Sequence, residues 1–496
     1  MRKDTFYITT AIDYPNGNPH VGHAFEKIIA DTYARWARFL GKGTQYLTGT
    51  DENGQKLMLS AKNAGASSVM AFVDENVDKF KGLISDLKIS NTDFIRTTES
   101  RHLETARFFW MTLEEKGDIY FGTYAGNYCF DCEQFYPDNQ AEDGNCPSHG
   151  KPLVHVEEEG YFFRMSKYAD WIKEHIETHE EFLFPSSARK EMLGRLESDK
   201  LADLAVSRKN EGWGIEVPGN SDHVMYTWFD ALMNYYAPVH TGDMDASFWP
   251  CDVHVIGKDI TWFHGVVWPI MLKAAGIDIP KTVHVHGMIL DENGKKMSKS
   301  LGNVIDPAEL TSEFPNDTIR YYLLRNVSSG QDGKMSIAGV KKRHNGELAN
   351  ELGNLVNRAV KLSLKKISET IDVSEYTTEF RLDEELVAPM KKHMEKFQHH
   401  LALDHFWQAG VVRLNTYLNE KEPWRIKDDP KTFADIMVTC LHGVYVLGVL
   451  AKPFMPEASD KILAYLGRPV VENLPENFDV DQFTLSDPKP LFMRLD

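Results

Sequence analysis

The feature that most constrains this 496-residue chain is a strand, turn, helix and strand pattern at its amino terminus. Residues 6–12 are apolar and β-rich, and they run into the turn-forming segment 13–19. From Gly22 onward apolar residues recur at helical spacing, and residues 46–50 have the character of the next strand. This order of elements opens a parallel α/β unit. The chain is therefore expected to begin in an α/β core built on a parallel sheet.

The same α/β pattern returns later in the chain. Residues 253–256 and 282–290 have strand character, and residues 263–275 between them have helical periodicity. The intervening segment is first rich in Gly, Tyr, Cys, Asp and Pro and then mixed, which indicates an inserted domain of roughly 100 residues. We therefore expect a split core, with residues 1–116 and 226–290 as its halves and residues 117–225 as the insertion.

The last third of the chain has a different pattern, because no convincing strand remains after about residue 330. Four segments have helical periodicity: 344–366, 386–400, 406–420 and 433–452. We expect residues 336–496 to form an all-α helical bundle, joined to the core through residues 291–335. No run of about 18 uninterrupted apolar residues occurs, so no membrane-spanning helix is expected.

Charge and cysteine content narrow the class of protein. The net charge of −18 argues against a general nucleic-acid binder, although a local basic face can coexist with an acidic total. Five cysteines are few and odd in number for a chain of this length, which argues against a disulfide framework. A cytoplasmic enzyme is the expectation.

A first motif, His20-Val21-Gly22-His23, lies where the loop after the first strand enters a helix. A helix start offers backbone N–H groups and a positive dipole end to a phosphate, and a glycine lets the ligand come close to the backbone. Two imidazoles three residues apart can both donate hydrogen bonds to phosphate oxygens. A solvated surface pair and a zinc pair are the alternatives, but neither accounts for the position of the motif at the mouth of an α/β unit.

A second motif, residues 296–300 with the sequence Lys-Met-Ser-Lys-Ser, follows the strand at 282–290 and a glycine-containing loop. Two lysines on a mobile loop can close over a polyphosphate and supply positive charge as negative charge develops during displacement. The alternative is a solvated basic loop.

Together the two motifs resemble the HIGH and KMSKS signatures of class I aminoacyl-tRNA synthetases. The first departs from its signature at one residue, and the second matches in full. The resemblance implies a Rossmann-like core that binds ATP with Mg²⁺. It implies an ATP site made of His20, Gly22, His23, Lys296, Ser298 and Lys299. Of these, His20, His23, Lys296 and Lys299 would act in catalysis.

Segments 11–17, 49–54, 228–232 and 257–260, the last together with Phe263-His264, are similar to those of the methionyl-tRNA synthetase family in particular. Leu232 departs from the proline that some relatives carry. The resemblance implies that Asp51 holds the α-ammonium of L-methionine, and that Tyr14 and His264 offer weak hydrogen bonds to its sulfur. It implies a pocket lined by Ala11, Ile12, Tyr14, Trp228, Ala231, Tyr235, Ile260 and His264. The short insertion agrees with this family, whose editing relatives carry a large extra domain.

Three of the five cysteines lie close together in the insertion. Cys129 and Cys132 form one x₂ pair, and Cys146 and His149 form another, which is typical of a closed, tetrahedral structural zinc site. Such a zinc knuckle would stabilise a segment with little core of its own. Reduced, unrelated thiols are the alternative.

The helix at 344–366 has an apolar stripe and an opposite polar face. Amides and a guanidinium on that face suit the base edges of unpaired RNA, and Trp424 before a later helix can stack on a base. A solvated polar face is the alternative. The resemblance implies an anticodon-binding domain that uses Asn350, Asn354, Arg358 and Trp424.

The expected function is therefore methionine–tRNA ligase, with L-methionine, ATP and tRNA(Met) as partners, no membrane, one structural Zn²⁺ and a monomeric state. Alternatives are a class I synthetase for another small apolar or sulfur amino acid, a noncatalytic tRNA-binding relative, and an enzyme that makes adenylates without tRNA. The intact motifs argue against the second, and the helical tail argues against the third.

Overall fold

The computed structural model describes residues 4–129, 134–136, 144–146, 150–198, 200–297 and 302–496. These residues form two compact units. The first contains the described residues up to Pro19 together with Gln45–Ser85 and Asn91–Val285. The second contains His20–Thr44, Asp86–Ser90 and His286–Asp496.

The amino-terminal part of the chain alternates strands and helices, as the apolar pattern predicted. Its elements are β1 (Thr5–Thr10), α1 (Val21–Phe39), β2 (Gly43–Thr50), α2 (Gln55–Asn63), α3 (Val69–Asp86), β3 (Asp93–Arg96) and α4 (Ser100–Glu115).

The next part of the chain is mainly antiparallel. Its elements are β4 (Ile119–Cys129), β5 (Gln134–Tyr136), β6 (Val154–Phe163), α5 (Ala169–Thr178), β7 (Leu183–Phe184), α6 (Ser186–Ser198), β8 (Leu204–Ala205), β9 (Ser207–Lys209), β10 (Glu216–Val217) and β11 (Asn220–Met225). One sheet has the order β5-β4-β6-β8, and a second has the order β10-β11-β9. The longest strand pair of the first sheet is β4 with β6, in antiparallel register from Ile119↔Phe163 to Tyr128↔Val154.

The α/β pattern then returns with α7 (Thr227–Ala231), α8 (Ala237–His240), β12 (Val253–Gly257), α9 (Trp268–Ala275), β13 (Thr282–His286) and β14 (Ile289–Leu290). The prediction of a single strand over residues 282–290 is wrong, because β13 ends at His286 and a separate strand, β14, begins at Ile289. A Cβ atom on Gly287 would lie 2.2 Å from the carbonyl oxygen of Gln331, so only glycine permits this close approach of two backbones.

A six-stranded sheet reunites the two halves of the core, in the order β3-β2-β1-β12-β13-β7. The pairs β1–β12, β2–β3 and β13–β7 are parallel. Ile8 lies opposite Val253 and Thr10 opposite Val255, so strands about 245 positions apart are neighbours. All residues of β12 and β13 are buried, as expected for strands of a sheet covered on both faces. The predicted α/β class is confirmed.

The remaining elements are mostly helical. They are α10 (Pro307–Glu313), α11 (Asn316–Asn326), β15 (Gly333–Lys334), α12 (Ile337–Arg343), α13 (Asn354–Lys366), β16 (Thr370–Asp372), α14 (Leu382–Glu395), α15 (His399–His405), α16 (Arg413–Lys421), α17 (Pro430–Ala451), α18 (Pro456–Tyr465) and β17 (Gln482–Thr484). Short π-helical segments, His344–Gly353 and Phe406–Val412, lead into α13 and α16.

The predicted helical tail is confirmed, and the sequence pattern predicted neither the strand pair within it nor the strand pairing that precedes it. β14 pairs in parallel with β15, and β16 pairs in an antiparallel manner with β17. Each of these strands has only two or three residues, which is too short for an alternating pattern to show.

The helix α17 is the apolar centre of the tail, with its side chains buried from Phe433 to Ala451 apart from Asp435. By length and composition it is the one helix among the described residues that could cross a membrane. Since 94% of its apolar window is buried inside the protein, it has the character of a core helix.

Candidate active site

The first unit contains a cavity of about 160 Å³. One water needs about 10–15 Å³ by the same measure, so the cavity has room for a ligand the size of an amino acid. Its walls are formed by Ala11, Ile12, Tyr14, Asp51, Lys56, Thr227, Trp228, Ala231, Leu232, Tyr235, Ile260 and His264. All nine residues predicted to bind the amino acid are among them. Lys56, Thr227 and Leu232 were not predicted.

The cavity lies where the strands of the parallel sheet end. Backbone pairing continues beyond β1 and β2, because Asp13 N–H donates to Gly49 O at 2.9 Å and Asp51 N–H donates to Asp13 O at 2.8 Å. These bonds hold the segment with Ile12 and Tyr14 beside the segment with Asp51. Ligands of open α/β sheets bind at this carboxyl edge of the strands.

An aromatic stack forms one wall. The rings of Trp228 and Phe263 lie 4.1 Å apart and nearly parallel, with an interplanar angle of 4°. His264 meets Trp228 edge-on at 6.4 Å. Phe263 and His264 both lie in a π-helical turn, Phe263–Val267, and such turns often occur at functional sites. Phe263 was not among the predicted site residues, although its position next to His264 was a signal for it.

The hydrogen bonds of His264 fix its tautomer. Its Nδ1 lies 3.0 Å from Ile260 O, and since a carbonyl oxygen only accepts, Nδ1 carries the proton. In the neutral ring Nε2 is then an acceptor, and the hydroxyl of Tyr235 donates to it at 2.7 Å. Both ring nitrogens are therefore engaged inside the protein. The expectation that neutral His264 donates a hydrogen bond to a substrate sulfur is not supported by this arrangement.

A second buried histidine lies behind Tyr235. His254 packs on the Tyr235 ring at 4.3 Å. Its Nε2 accepts from the indole N–H of Trp268 at 3.2 Å, so Nδ1 carries the proton and donates to the Thr9 hydroxyl at 2.7 Å. Burial, followed by the nearby His264, lowers the pKa of His254 well below its usual value. The neutral imidazole is thus a fixed support for the aromatic wall.

The cavity has one acidic and one basic group among its described walls, Asp51 and Lys56. The remaining walls are apolar, aromatic or uncharged. Asp51 is buried, with 8% of its surface exposed. A cavity with an apolar body and one charge of each sign is complementary to a zwitterion with an apolar side chain.

The predicted phosphate motif lies in the second unit, at the start of α1. His20 is the N-cap residue, and its Nδ1 accepts from Gly22 N–H at 3.1 Å, while the His20 N–H donates to Nδ1 of His23 at 3.1 Å. The two rings stack at 3.8 Å. Because each Nδ1 accepts, each neutral ring carries its proton on Nε2 and can donate there. Burial, then the nearby His20 and Lys27, lowers the pKa of His23 well below its usual value.

Gly22 is required by this geometry. A Cβ atom at position 22 would lie 2.9 Å from Cε1 and 3.0 Å from Nδ1 of His20. Any larger residue would push the His20 ring away from its cap position. The motif therefore combines a helix N-terminus, two ring donors and an unobstructed backbone, which is a suitable arrangement for phosphate.

The second motif begins on a turn ordered by Asp291. The Asp291 carboxylate accepts from the backbone N–H groups of Asn293 and Lys295 at 2.9 and 2.8 Å, and from the Asn303 amide at 2.9 Å. The bond from Asn303, followed by that from Lys295, lowers the pKa of Asp291. Lys296 is exposed just after this turn. The predicted residues Ser298 and Lys299 lie outside the described residues.

The predicted zinc ligands are described only in part, since Cys132 and His149 lie outside the described residues. Cys129 and Cys146 are buried in one small cluster with Leu153. The Gly150 N–H donates to the Cys146 carbonyl oxygen at 2.7 Å. Within the described ranges no group of three or more possible metal ligands is present.

The predicted anticodon face lies on the second unit. Asn350 and Asn354 are exposed one helical turn apart, and Arg358 follows at the same spacing. The Arg358 guanidinium lies 4.9 Å from the centre of the Trp424 ring, and Trp424 is 39% exposed. Asn419, which was not predicted, accepts two hydrogen bonds from Arg358, each of 3.1 Å. Three of the four predicted residues therefore share a helix face, and the fourth stacks on one of them.

Comparison with known proteins agrees with this geometry. Residues 6–155 and 148–360 match a family model described as tRNA synthetases class I (M). Residues 373–485 match a model described as the anticodon binding domain of methionyl tRNA ligase.

Relatives match over the whole chain. A methionine–tRNA ligase from Rhizobium meliloti (strain 1021) is 41% identical, with 99% of this chain and 98% of that protein covered. One from Caldanaerobacter subterraneus is also 41% identical, covering 94% of this chain and 74% of the relative. The structure of Mycobacterium tuberculosis methionyl-tRNA synthetase in complex with methionyl-adenylate matches with a TM-score of 0.92 and 36% identity, over 99% of this chain and 100% of that one. The chain belongs to the methionyl-tRNA synthetase family of class I tRNA synthetases.

Proposed function

We propose that the protein is a methionine–tRNA ligase that forms methionyl-adenylate from L-methionine and ATP and transfers the methionyl group to tRNA(Met). The observation that carries the proposal is the cavity of the first unit, which has an apolar and aromatic body with Asp51 and Lys56 among its walls. The family membership supports the same reaction.

Recognition of methionine follows from the cavity walls. A thioether is apolar and polarizable and packs well on aromatic rings, which Tyr14, Trp228 and Tyr235 supply. Asp51 would pair with the α-ammonium, as the resemblance implies, and Lys56 is placed in the same cavity to meet a carboxylate. His264 contributes by fixing the hydroxyl of Tyr235 rather than by donating to the sulfur.

The activation step needs no covalent residue. The methionine carboxylate attacks the α-phosphorus of Mg·ATP in line, a P–O bond forms, and the bond to pyrophosphate breaks. Catalysis then rests on positioning and on charge stabilisation. The Nε2–H groups of His20 and His23 would donate to phosphate oxygens, and Lys296 and Lys299 would supply positive charge as pyrophosphate leaves.

Transfer is the second step. A hydroxyl of the terminal tRNA adenosine attacks the methionyl carbonyl carbon, and AMP leaves with its phosphate. The helical tail would select the tRNA through unpaired bases, which Asn350, Asn354 and the stacked pair of Arg358 and Trp424 can contact.

A structural Zn²⁺ is part of the proposal. Cys129 and Cys146 fit it because both are buried in one small cluster and Gly150 N–H donates to the Cys146 carbonyl oxygen. Cys132 and His149 would complete a tetrahedral site that holds the insertion together. Mg²⁺ would enter with ATP as its substrate complex.

We further infer a cytoplasmic monomer. Cys251 and Cys440, which lie outside the proposed zinc site, are buried free thiols, as is usual in a reducing compartment. A solution mass near twice 56.6 kDa in light scattering would contradict the monomer.

The function is tested by ATP–pyrophosphate exchange across a panel of amino acids. Exchange should depend on L-methionine, with leucine and cysteine well below it. Exchange with either of those and not with methionine would overturn the assignment. Aminoacylation of tRNA(Met) then separates a ligase from an enzyme that makes adenylates without tRNA.

A further inference from the structure

The short segment that carries Asp51 is held by a buried polar cluster around the next residue, Glu52. The Glu52 side chain is fully buried. One of its carboxylate oxygens accepts from the Thr50 hydroxyl and from Arg96 Nε, each at 2.6 Å. The other oxygen accepts from the Thr98 hydroxyl. The carboxylate therefore ties the end of β2 to the end of β3.

The backbone of the same segment is fixed by further bonds. Glu52 N–H donates to the Thr97 hydroxyl oxygen at 2.8 Å, and the side-chain amide of Asn53 donates to that same oxygen at 3.2 Å. Asp51 N–H donates to Asp13 O at 2.8 Å. The peptide on each side of Asp51 is thus restrained by a separate partner.

The last restraint comes from a distant part of the sequence. The indole N–H of Trp213 donates to the Glu52 carbonyl oxygen at 2.8 Å. Trp213 lies between β9 and β10, in the segment predicted as the insertion. Its ring also packs in a cluster with Tyr14 and Leu57, and Tyr14 is itself a wall of the cavity.

A buried carboxylate of this kind adds little to the stability of the fold, since the cost of its desolvation offsets most of what the ion pair contributes. Its benefit is geometric, because a binding group held by fixed neighbours loses less freedom when the ligand arrives. We infer that Glu52 and Trp213 are positioning residues that hold Asp51 in the orientation that pairs with the α-ammonium of the substrate. This inference rests on the proposed function, which places the amino acid in this cavity.

The main test is Trp213→Phe, which keeps an aromatic ring but removes the N–H donor to Glu52. The KM for methionine in pyrophosphate exchange should rise about tenfold, the order expected when a buried carbonyl loses its partner. The kcat and the KM for ATP should change less than about twofold. The matched control is Trp249→Phe, which also removes an indole donor to a backbone carbonyl, that of Asp278 at 2.9 Å. It should leave the KM for methionine unchanged.

Two competitive inhibitors separate positioning from general loss of packing. Methioninol keeps the ammonium and lacks the carboxylate, whereas 4-(methylthio)butanoate keeps the carboxylate and lacks the ammonium. Trp213→Phe should weaken methioninol about tenfold and the butanoate less than twofold. An equal loss for both inhibitors, or no loss for either, overturns the inference.

A second pair of variants keeps the test decisive if Trp213→Phe does not fold. Thr97→Val removes the hydroxyl that holds the Glu52 N–H, and Thr97→Ser restores it. The valine variant should show the same ammonium-specific loss, and the serine variant should recover most of it. If the wild-type protein neither binds methionine nor supports exchange with it, the proposed function fails. If the wild type is active but these variants match it, only the positioning role fails.

Discussion

The variant Asp317→Asn should gain stability in the helical tail, relative to the wild type, as the pH rises. Asp317 lies in the first turn of α11 and is 2% exposed. Its Oδ2 accepts from Ala458 N–H, in the first turn of α18, at 2.6 Å. Burial raises the pKa of Asp317 from 3.8 to about 6, even though that bond and the nearby Arg320 favour the ionised form.

The sign follows from the raised pKa. Ionisation is harder in the folded protein than in the unfolded chain, so the group costs nothing well below pH 3.8, destabilises the fold increasingly as the pH rises from about 3.8 to about 6, and has its full cost above that range. The full cost is about 3 kcal/mol, from a difference of about two pKa units at 1.36 kcal/mol each. About half of it, roughly 1.5 kcal/mol, develops between pH 5 and pH 8.

Asparagine at this position cannot ionise, and its carbonyl oxygen can still accept from Ala458. Its buried NH₂ group adds a cost of about 1–3 kcal/mol that does not depend on pH. The measured quantity is therefore the change with pH in the stability difference between the variant and the wild type.

Hydrogen–deuterium exchange of peptides from α11 and α18 measures this difference locally. Comparison of the two proteins at the same pH cancels the intrinsic exchange rates. Relative to wild type, protection in Asp317→Asn should rise about tenfold between pH 5 and pH 8. The control is Asp460→Asn on α18. The Asp460 carboxylate is 41% exposed and, among the described residues, pairs only with Lys452, so this variant should show no such rise. A stability difference that is constant from pH 5 to pH 8 would refute the reasoning.

Three further changes test the two candidate sites and the metal. Gly22→Ala should displace the His20 ring and lower the rate of pyrophosphate exchange about tenfold or more, with methionine binding measured by calorimetry unchanged; a wild-type rate would contradict the cap geometry. Tyr235→Phe should leave Nε2 of His264 without its donor and weaken the binding of methionine about tenfold. Equal affinity of the two proteins in titrations would argue against a role for this hydrogen bond. Cys146→Ser should lower the zinc content, measured by atomic emission, from about one per chain to nearly none, and retention of zinc would remove this residue from the knuckle.

The sequence predicted the class of fold and most walls of the cavity for a physical reason. Long strands and helices show their buried faces as periodic apolar residues, so β1, α1 and α17 were visible. Segments such as 11–17 and 228–232 resembled known synthetases, and the structure places their predicted residues around one cavity.

Other features depend on contacts between residues far apart in the chain. The break after β13 arises because Gly287 meets the backbone of Gln331, and no local pattern reveals that approach. Nε2 of His264 is bonded to the hydroxyl of Tyr235, 29 residues earlier. The segment that carries Asp51 is held by the indole N–H of Trp213, 161 residues beyond Glu52. Lys56 and Thr227 also became visible only once the chain had folded around the cavity.

By itself, therefore, the sequence determined the kind of protein and the chemical groups available to it, because periodicity and local motifs are properties of neighbouring residues. The tertiary structure alone decided which atoms those groups bind. Donor direction, tautomer and burial are set by partners that come from other strands and helices, as the buried imidazole of His254 shows with its bonds to Thr9 and Trp268.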